Sequence, residues 1–300
     1  MKLSILMITY NHEKYVAQAL DSILMQVTDF SYEIVIGEDC STDSTRTILR
    51  QYHERYPDRI RLILPEKNLG MMRNFVETYY ACEGEYVAIL DGDDYWTSPY
   101  KLQKQVDFLD SHPDFAICFH NASYLWEIED RPSTLFCKED QQEVTVFEDL
   151  LVDNFIPTLT CMFRNRLFGA FPDWIFGLKF GDWPLHVLNA QFGKIGYLNE
   201  PMAVYRVHSA GAVSGIHTDE AKMIEYIQGM IQFYQTMDKH FGHKYSHLIK
   251  KKVAMYYCSL AKAYEAMGEI VNAVKFYLLY ILSSPLSDTT KRVAHRLGIS

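Results

Sequence analysis

The sequence predicts an α/β fold, a mainly parallel sheet flanked by helices, followed by a C-terminal α-helical extension. Three observations point there. Short apolar runs at 3–8, 33–37, 60–64, 86–90 and 115–119 alternate with stretches of helical periodicity. Such alternation puts parallel strands in one sheet with helices on its faces. Polar segments rich in Asn, Asp, Ser and Gly follow the runs, where ligands bind in sheets of this kind. Past about residue 218 the pattern is helical alone, so the expected domains are 1–217 and 218–300.

The elements follow in order. Residues 3–8 read as a strand and 13–25 as a helix, with Val16, Leu20, Ile23 and Leu24 on one side. The strand 33–37 is followed by a helix to about residue 56, capped by Asp43 or Ser44. The strand 60–64 precedes a helix over 72–81, and 86–90 is the next strand. Ser98-Pro99 opens a helix over 100–111, because Pro suits the first helical position. After the strand 115–119 the pattern breaks down, with a ribbon expected around Leu125 and Phe136. A strand at 159–163, a helix over 181–192 and strands at 195–198 and 203–207 complete the first domain. In the tail, Ala261, Tyr264, Gly268, Ala273, Tyr277 and Pro285 fall at the spacing of one tetratricopeptide repeat. A plain helical hairpin, packed on the first domain or on a second subunit, fits the same residues.

Composition narrows the function classes. The net charge is −9, from 29 Lys+Arg against 38 Asp+Glu, which argues against a general nucleic-acid binder. The N-terminal apolar run is too short for a signal peptide, and no stretch reaches the roughly 18–20 apolar residues of a membrane span. Six scattered cysteines without a CxxC pair read as reduced thiols, consistent with a cytoplasmic protein.

The segment Leu90-Asp91-Gly92-Asp93-Asp94-Tyr95-Trp96 carries the chemistry. It follows a buried strand, and clustered carboxylates are costly to bury unless a cation joins them. Asp91 and Asp93 suit Mg²⁺ or Mn²⁺, which take oxygen ligands and share them with substrate phosphates. A solvated Asp-Gly turn is the plainer alternative.

Four further segments share the order of this one: Ile8-Thr9-Tyr10-Asn11, Ile36-Gly37-Glu38-Asp39-Cys40-Ser41-Thr42-Asp43, Asn68-Leu69-Gly70 and Gly181-Asp182-Trp183. Together the five resemble the family 2 glycosyltransferases, inverting enzymes with the GT-A fold. The resemblance covers roughly residues 1–215 and leaves the helical tail unexplained.

The resemblance implies a nucleotide-sugar donor, most often a UDP-sugar, held with Mn²⁺ or Mg²⁺. Tyr10 can stack on a base, with the backbone around Thr9 and Asn11 at its edge. Asp39 can take the N3–H of uracil, which favours UDP or dTDP over purine nucleotides, and Glu38 lies beside it. Asn68 and Arg73 match positions near the base and ribose, although Arg73 also reads as a surface charge. Asp91, next to Gly92, would hold the ribose hydroxyls, the metal, or both. Asp93 is the expected direct metal ligand, and Asp94 orients the loop or touches the sugar.

Inverting transfer needs a base on the acceptor hydroxyl and stabilisation of the departing diphosphate. Asp182 matches the acidic residue of the family's ED-like motif, where relatives often carry Glu at the position of Gly181. An Asp before Pro184 also suits a helix N-terminal cap. Trp183 and Trp174 are either an acceptor platform or core. In Tyr205-Arg206-Val207-His208-Ser209, the resemblance implies that Arg206 reaches the diphosphate or sugar and His208 the metal, with a satisfied strand-end histidine as the alternative. The small residues at 211–215 fit a loop that orders over the donor.

The expected function is a cytoplasmic, metal-dependent hexosyl- or N-acetylhexosaminyl-transferase of cell-surface or secreted glycan synthesis. Its acceptor would be a glycan, lipid-linked or polymeric. Lys250-Lys251-Lys252 offers a peripheral membrane contact, and the amphipathic tail allows a homodimer. A nucleotide-binding adaptor is the alternative from another class. A nucleotidyltransferase would need a Gly-rich, basic loop near the N-terminus, which Thr9-Tyr10-Asn11-His12-Glu13 is not.

Overall fold

The computed structural model of the protein describes residues 1–209, 211 and 220–283. The chain forms two compact units, Met1–His208 and Ser209–Ser300.

In the first unit β1 (Leu3–Thr9) lies between β2 (Tyr32–Glu38) and β4 (Tyr86–Ile89), parallel to both. β3 (Ile60–Ile63) extends this side in parallel. Strands covered on both faces need no polar alternation, which is why the runs are almost wholly apolar. Leu3, Ile5 and Met7 pack with Ile34 and Ile36, with Val16, Leu20 and Ile23 of α1 (Val16–Leu24), and with Leu49 of α2 (Thr45–Arg55). α3 (Met71–Ala81) covers the other face at close range. A Cβ at Gly37 would lie 2.0 Å from Thr78 Oγ1, so only glycine lets this helix approach the end of β2.

The other half of the sheet is mixed. β8 (Met162–Arg164) runs antiparallel between β4 and β6 (Phe115–Trp126), and β9 (Lys194–Val207) is parallel to β6. β5 (Tyr95–Trp96) and β7 (Val144–Thr145) add to β9 in the antiparallel sense. Two expectations change here. The strand expected at 115–119 continues to Trp126, because Asn121 and one ring nitrogen of His120 find partners inside the sheet. Asn121 Oδ1 accepts from Cys137 N at 2.9 Å, and His120 Nδ1 bonds Asn121 O at 2.7 Å. The strands expected at 195–198 and 203–207 are one strand. The pairing shifts register between His120 and Ala122, which absorbs the polar stretch around Pro201. The strand expected at 159–163 begins instead as a 3-10 turn, Thr158–Thr160. A short helix, α5 (Phe147–Val152), lies in the stretch read as irregular.

α4 (Lys101–Ser111) packs on this half with its first residue wholly buried. Lys101 Nζ has no hydrogen-bond partner among the described residues and lies 3.9 Å from the centre of the Trp96 ring. Burial pushes its pKa down to about 7.

In the second unit α7 (Glu220–His240) precedes a hairpin of α8 (Ser246–Ala266) and α9 (Ile270–Ser283). Gly268, at φ +75°, makes the turn, and Tyr264 stacks on Phe276 at 5.6 Å. Ala261, Ala273 and Tyr277 are buried in this unit. Pro285 and the small residues at 212–215 lie outside the described residues. No helix among the described residues is long and apolar enough to cross a membrane.

Candidate active site

The loops after β1, β2 and β4, the start of α3 and the end of β9 meet at the carboxyl edge of the parallel strands. The first two loops are laced together. Asn11 Oδ1 accepts from Thr42 N at 2.8 Å, Ser41 Oγ accepts from Asn11 N at 2.9 Å, and Thr45 Oγ1 accepts from His12 N at 2.8 Å. Asn11 and Cys40 both adopt left-handed backbone, at φ 56° and 59°. Such geometry in a non-glycine residue persists only where neighbours enforce it. The lacing leaves Tyr10 outside, 43% exposed and available as a stacking face. Thr9 is buried, and its Oγ1 lies 3.2 Å from His12 Nδ1, so it braces the loop.

Asp39 joins this region to the third loop. Its two carboxylate oxygens accept from Leu69 N at 2.6 Å and Gly70 N at 2.9 Å, while Asn68 Nδ2 donates to Asp39 O at 2.8 Å. Gly70 needs φ +83° to present its N–H this way. Glu38 does not face a ligand. It is fully buried, paired with Arg46, and accepts from Ser41 N, so it shapes the loop. Arg73 is exposed at the start of α3, over the ring of Phe176 at 5.7 Å.

The acidic loop carries the strongest electrostatics. Gly92 is obligatory, because a Cβ there would lie 2.6 Å from Thr9 Oγ1. Burial, then Asp93 and Asp182, push the pKa of Asp91 up to about 8. Asp93 Oδ2 lies 3.0 Å from His208 Nε2 and 3.7 Å from His12 Nε2. Burial works against its charge, yet the His208 hydrogen bond and the two imidazoles hold its pKa below the usual carboxylate value. Asp94 is buried and accepts from Arg206 N at 2.8 Å, so it orients the loop.

Arg206 also departs from expectation. Its guanidinium is buried and spent on Asp93 O at 2.9 Å, Glu127 Oε1 at 2.7 Å and Gln18 Oε1 at 2.7 Å. Its face lies over Tyr15 at 4.6 Å. It clamps the acidic loop to β9 and is not a free diphosphate contact. Tyr15 completes this network, donating to Glu127 at 2.8 Å with its ring 4.7 Å from that of His208.

Asp182 opens α6 (Asp182–Ala190), half-buried, with Oδ2 accepting from Asn154 Nδ2 and Thr158 Oγ1, each at 3.1 Å. Its charge acts on Asp91, so donor loop and candidate base share one electrostatic field. Trp183 is core. It is buried, and its indole N–H donates to Leu150 O at 2.8 Å, which removes it from any acceptor platform. Trp174 lies half-buried in a 3-10 turn, Asp173–Gly177.

Sequence reasoning missed His12, Tyr15, Gln18, Glu127, Asn154 and Thr158. His12 had a signal, being polar in a loop that follows a buried strand. The others sit on a helix, at a strand end or in the irregular stretch, and only the tertiary fold brings them in.

Among the described residues no three His, Cys, Asp or Glu side chains are grouped to hold a metal by themselves. Asp93 and His208 offer one carboxylate and one imidazole at contact distance, beside an Asp91 whose pKa is raised first by burial and then by the charges of Asp93 and Asp182. That donor set would fit a Mg²⁺- or Mn²⁺-type ion whose remaining ligands would come from a diphosphate and water.

Residues 4–168 match the family model described as glycosyl transferase family 2. The chain belongs to that family. Uncharacterized protein Rv1520 of Mycobacterium tuberculosis is 40% identical over 223 residues, covering 74% of this chain and 64% of that protein. The match thus spans just under two thirds of the mycobacterial relative. Poly(ribitol-phosphate) beta-N-acetylglucosaminyltransferase TarS of Staphylococcus aureus is 30% identical over 164 residues, 53% of this chain and 27% of TarS. The structure of TarS 1–349 with UDP-GlcNAc superposes with a TM-score of 0.60 at 21% identity, covering 99% of this chain and 92% of that one. Mannosyltransferase PcManGT from Pyrobaculum calidifontis, in complex with GDP-Man and Mn²⁺, superposes at 0.59 and 17% identity, covering 99% and 78%. These likenesses establish the GT-A fold.

Proposed function

We propose that this protein transfers a sugar from a nucleotide-sugar, a UDP-sugar by preference, to a hydroxyl of a cell-surface or secreted glycan, with inversion and with Mn²⁺ or Mg²⁺. One observation carries the reading. The Asp93–His208 pair and Asp182 lie at one edge of the sheet, linked through Asp91. A donor diphosphate at the first and an acceptor hydroxyl at the second would flank one anomeric carbon. Tyr10 would stack on the base, and the Asp39–Asn68 junction would line its edge.

When bound, the ion supplies neutralisation of the leaving diphosphate. The chain's residues do the rest. Asp182 takes the acceptor proton as the hydroxyl oxygen attacks the anomeric carbon. The clamp of Arg206, Glu127 and Tyr15 keeps Asp93 and His208 in place. TarS bound to UDP-GlcNAc supports the UDP preference, and PcManGT bound to GDP-Man and Mn²⁺ supports the metal. The six cysteines are free thiols, which fits a cytoplasmic enzyme.

A donor screen tests this. UDP-, dTDP- and GDP-sugars are incubated with the protein and either Mn²⁺ or EDTA, and the released nucleotide is measured. The expected product is UDP, formed with Mn²⁺ and not with EDTA. Pyrophosphate would point to a nucleotidyltransferase. Nucleotide binding without turnover of any donor would favour the adaptor.

A further inference from the structure

The carboxylate of Asp182 is held asymmetrically. Oδ2 accepts both the Asn154 amide N–H and the Thr158 hydroxyl, whereas Oδ1 accepts no hydrogen bond among the described residues. We infer that Asn154 and Thr158 are positioning residues, which direct Oδ1 at the acceptor hydroxyl and make it the oxygen that takes the proton. The inference rests on the reading of Asp182 as the base.

Two features of the support argue for this role. The first is rigidity. Thr158 starts a 3-10 turn whose backbone is tied to the core on several sides. Trp96 Nε1 donates to Leu159 O at 2.8 Å, Gln105 Nε2 donates to Thr160 O at 2.9 Å, and Thr160 Oγ1 donates to Pro157 O at 2.7 Å. Asn154 is oriented in turn, its Oδ1 accepting from Ile156 N at 3.4 Å. A carboxylate at the first position of a helix would otherwise turn about its own side-chain bonds.

The second is proton placement. Both lone pairs of Oδ2 are engaged by donors, so a proton arriving at Asp182 goes to Oδ1. In the transfer step the acceptor O–H bond breaks and its proton bonds to Oδ1. The acceptor oxygen bonds to the anomeric carbon, and the bond from that carbon to the phosphate oxygen breaks. The nucleoside diphosphate leaves with that electron pair. Oδ2 then remains the carbonyl oxygen, still accepting from Asn154 and Thr158, so the support needs no rearrangement.

Loss of one donor frees the carboxylate to rotate, and small misplacements of a reacting group are costly. Thr158→Val keeps the shape of the side chain and removes the O–H. It is expected to lower kcat about 10- to 100-fold with KM for the nucleotide-sugar nearly unchanged. Thr158→Ser retains the hydroxyl and should recover most of the rate, which a purely steric role for the side chain would not predict. In an Asp182→Asn background, Thr158→Val should add no further loss. Wild-type kcat in Thr158→Val, or a Ser variant as slow as the Val variant, overturns the inference. If Asp182→Asn is inactive while Thr158→Val is normal, only the positioning inference fails. If Asp182→Asn turns over normally, the base assignment fails and the inference falls with it.

Discussion

Asp182→Asn is expected to lower sugar transfer by about 10²- to 10⁴-fold, the usual contribution of a general base, while nucleotide binding persists. The substitution separates chemistry from architecture. An asparagine carbonyl can still accept from Asn154 Nδ2 and Thr158 Oγ1, so α6 should start where it does now. Its NH₂ then stands where Oδ1 stood, and a donor replaces the proton acceptor. Asp182 is the first residue of the helix and makes no side-chain cap hydrogen bond, so the substitution loses only the attraction of its charge for the helix N-terminus, about 0.3–1 kcal/mol of stability. Nucleoside diphosphate release measures the rate, and calorimetric titration with UDP and Mn²⁺ measures the binding. Near-normal release in the variant would remove Asp182 from the mechanism.

The second large effect is on stability. Lys101→Met is expected to stabilise the protein by roughly 2–4 kcal/mol at pH 7. Lys101 is wholly buried without a hydrogen-bond partner among the described residues, and its pKa falls from the ordinary lysine value to about 7. A depression of that size corresponds to roughly 4–5 kcal/mol. Contact of the cation with the Trp96 face offsets up to about 2 kcal/mol. Met fills a similar volume with no charge to desolvate. The sign of the pH dependence follows from proton counting. Above pH 7 the unfolded chain holds a proton on Lys101 that the folded chain has lost, so wild-type stability rises with pH up to about 10. Below pH 7 both states hold the proton and the cost is full. The advantage of the Met variant should therefore be constant below about pH 7 and shrink by about 1.4 kcal/mol per pH unit above it. Urea unfolding at pH 6, 7.5 and 9 reads this directly. A destabilised Met variant whose deficit ignores pH would mean that the ammonium is stably solvated in place.

Much of this fold was legible because its central strands are buried on both faces. Continuous apolar runs such as 3–8 and 86–90 have no other stable home, and the polar segments after them had to collect at one edge of the sheet. That reasoning singled out Tyr10, Asp39, Asn68, Asp91 and Asp93, and the strand-end His208, as candidates. It failed where a residue's direction depends on a partner far away in sequence. Arg206 reads as an exposed cation, yet Gln18, Asp93 and Glu127 converge on it from three other elements. Trp183 is the second residue of a helix that is buried from Trp183 to Ala190, so periodicity gives it no outward face. Glu38 and Asp39 are indistinguishable by type, and only the position of Arg46, the second residue of α2, separates them. Asn154 and Thr158 act from a segment with no period at all, where a 3-10 turn is fixed by Trp96 and Gln105. The two-residue β5 is too short to register as any pattern.

The most direct test of the donor site is thermal stabilisation by UDP, dTDP, GDP and CMP, each with Mn²⁺ and again with EDTA. A ligand of the folded state at 100-fold its Kd adds about 2.7 kcal/mol by mass action. The predicted result is a shift that is largest with UDP plus Mn²⁺, absent with EDTA, and lost in both Asp93→Ala and His208→Ala. A UDP shift that survives EDTA and both substitutions would contradict the assignment of Asp93 and His208 to a metal-bridged diphosphate.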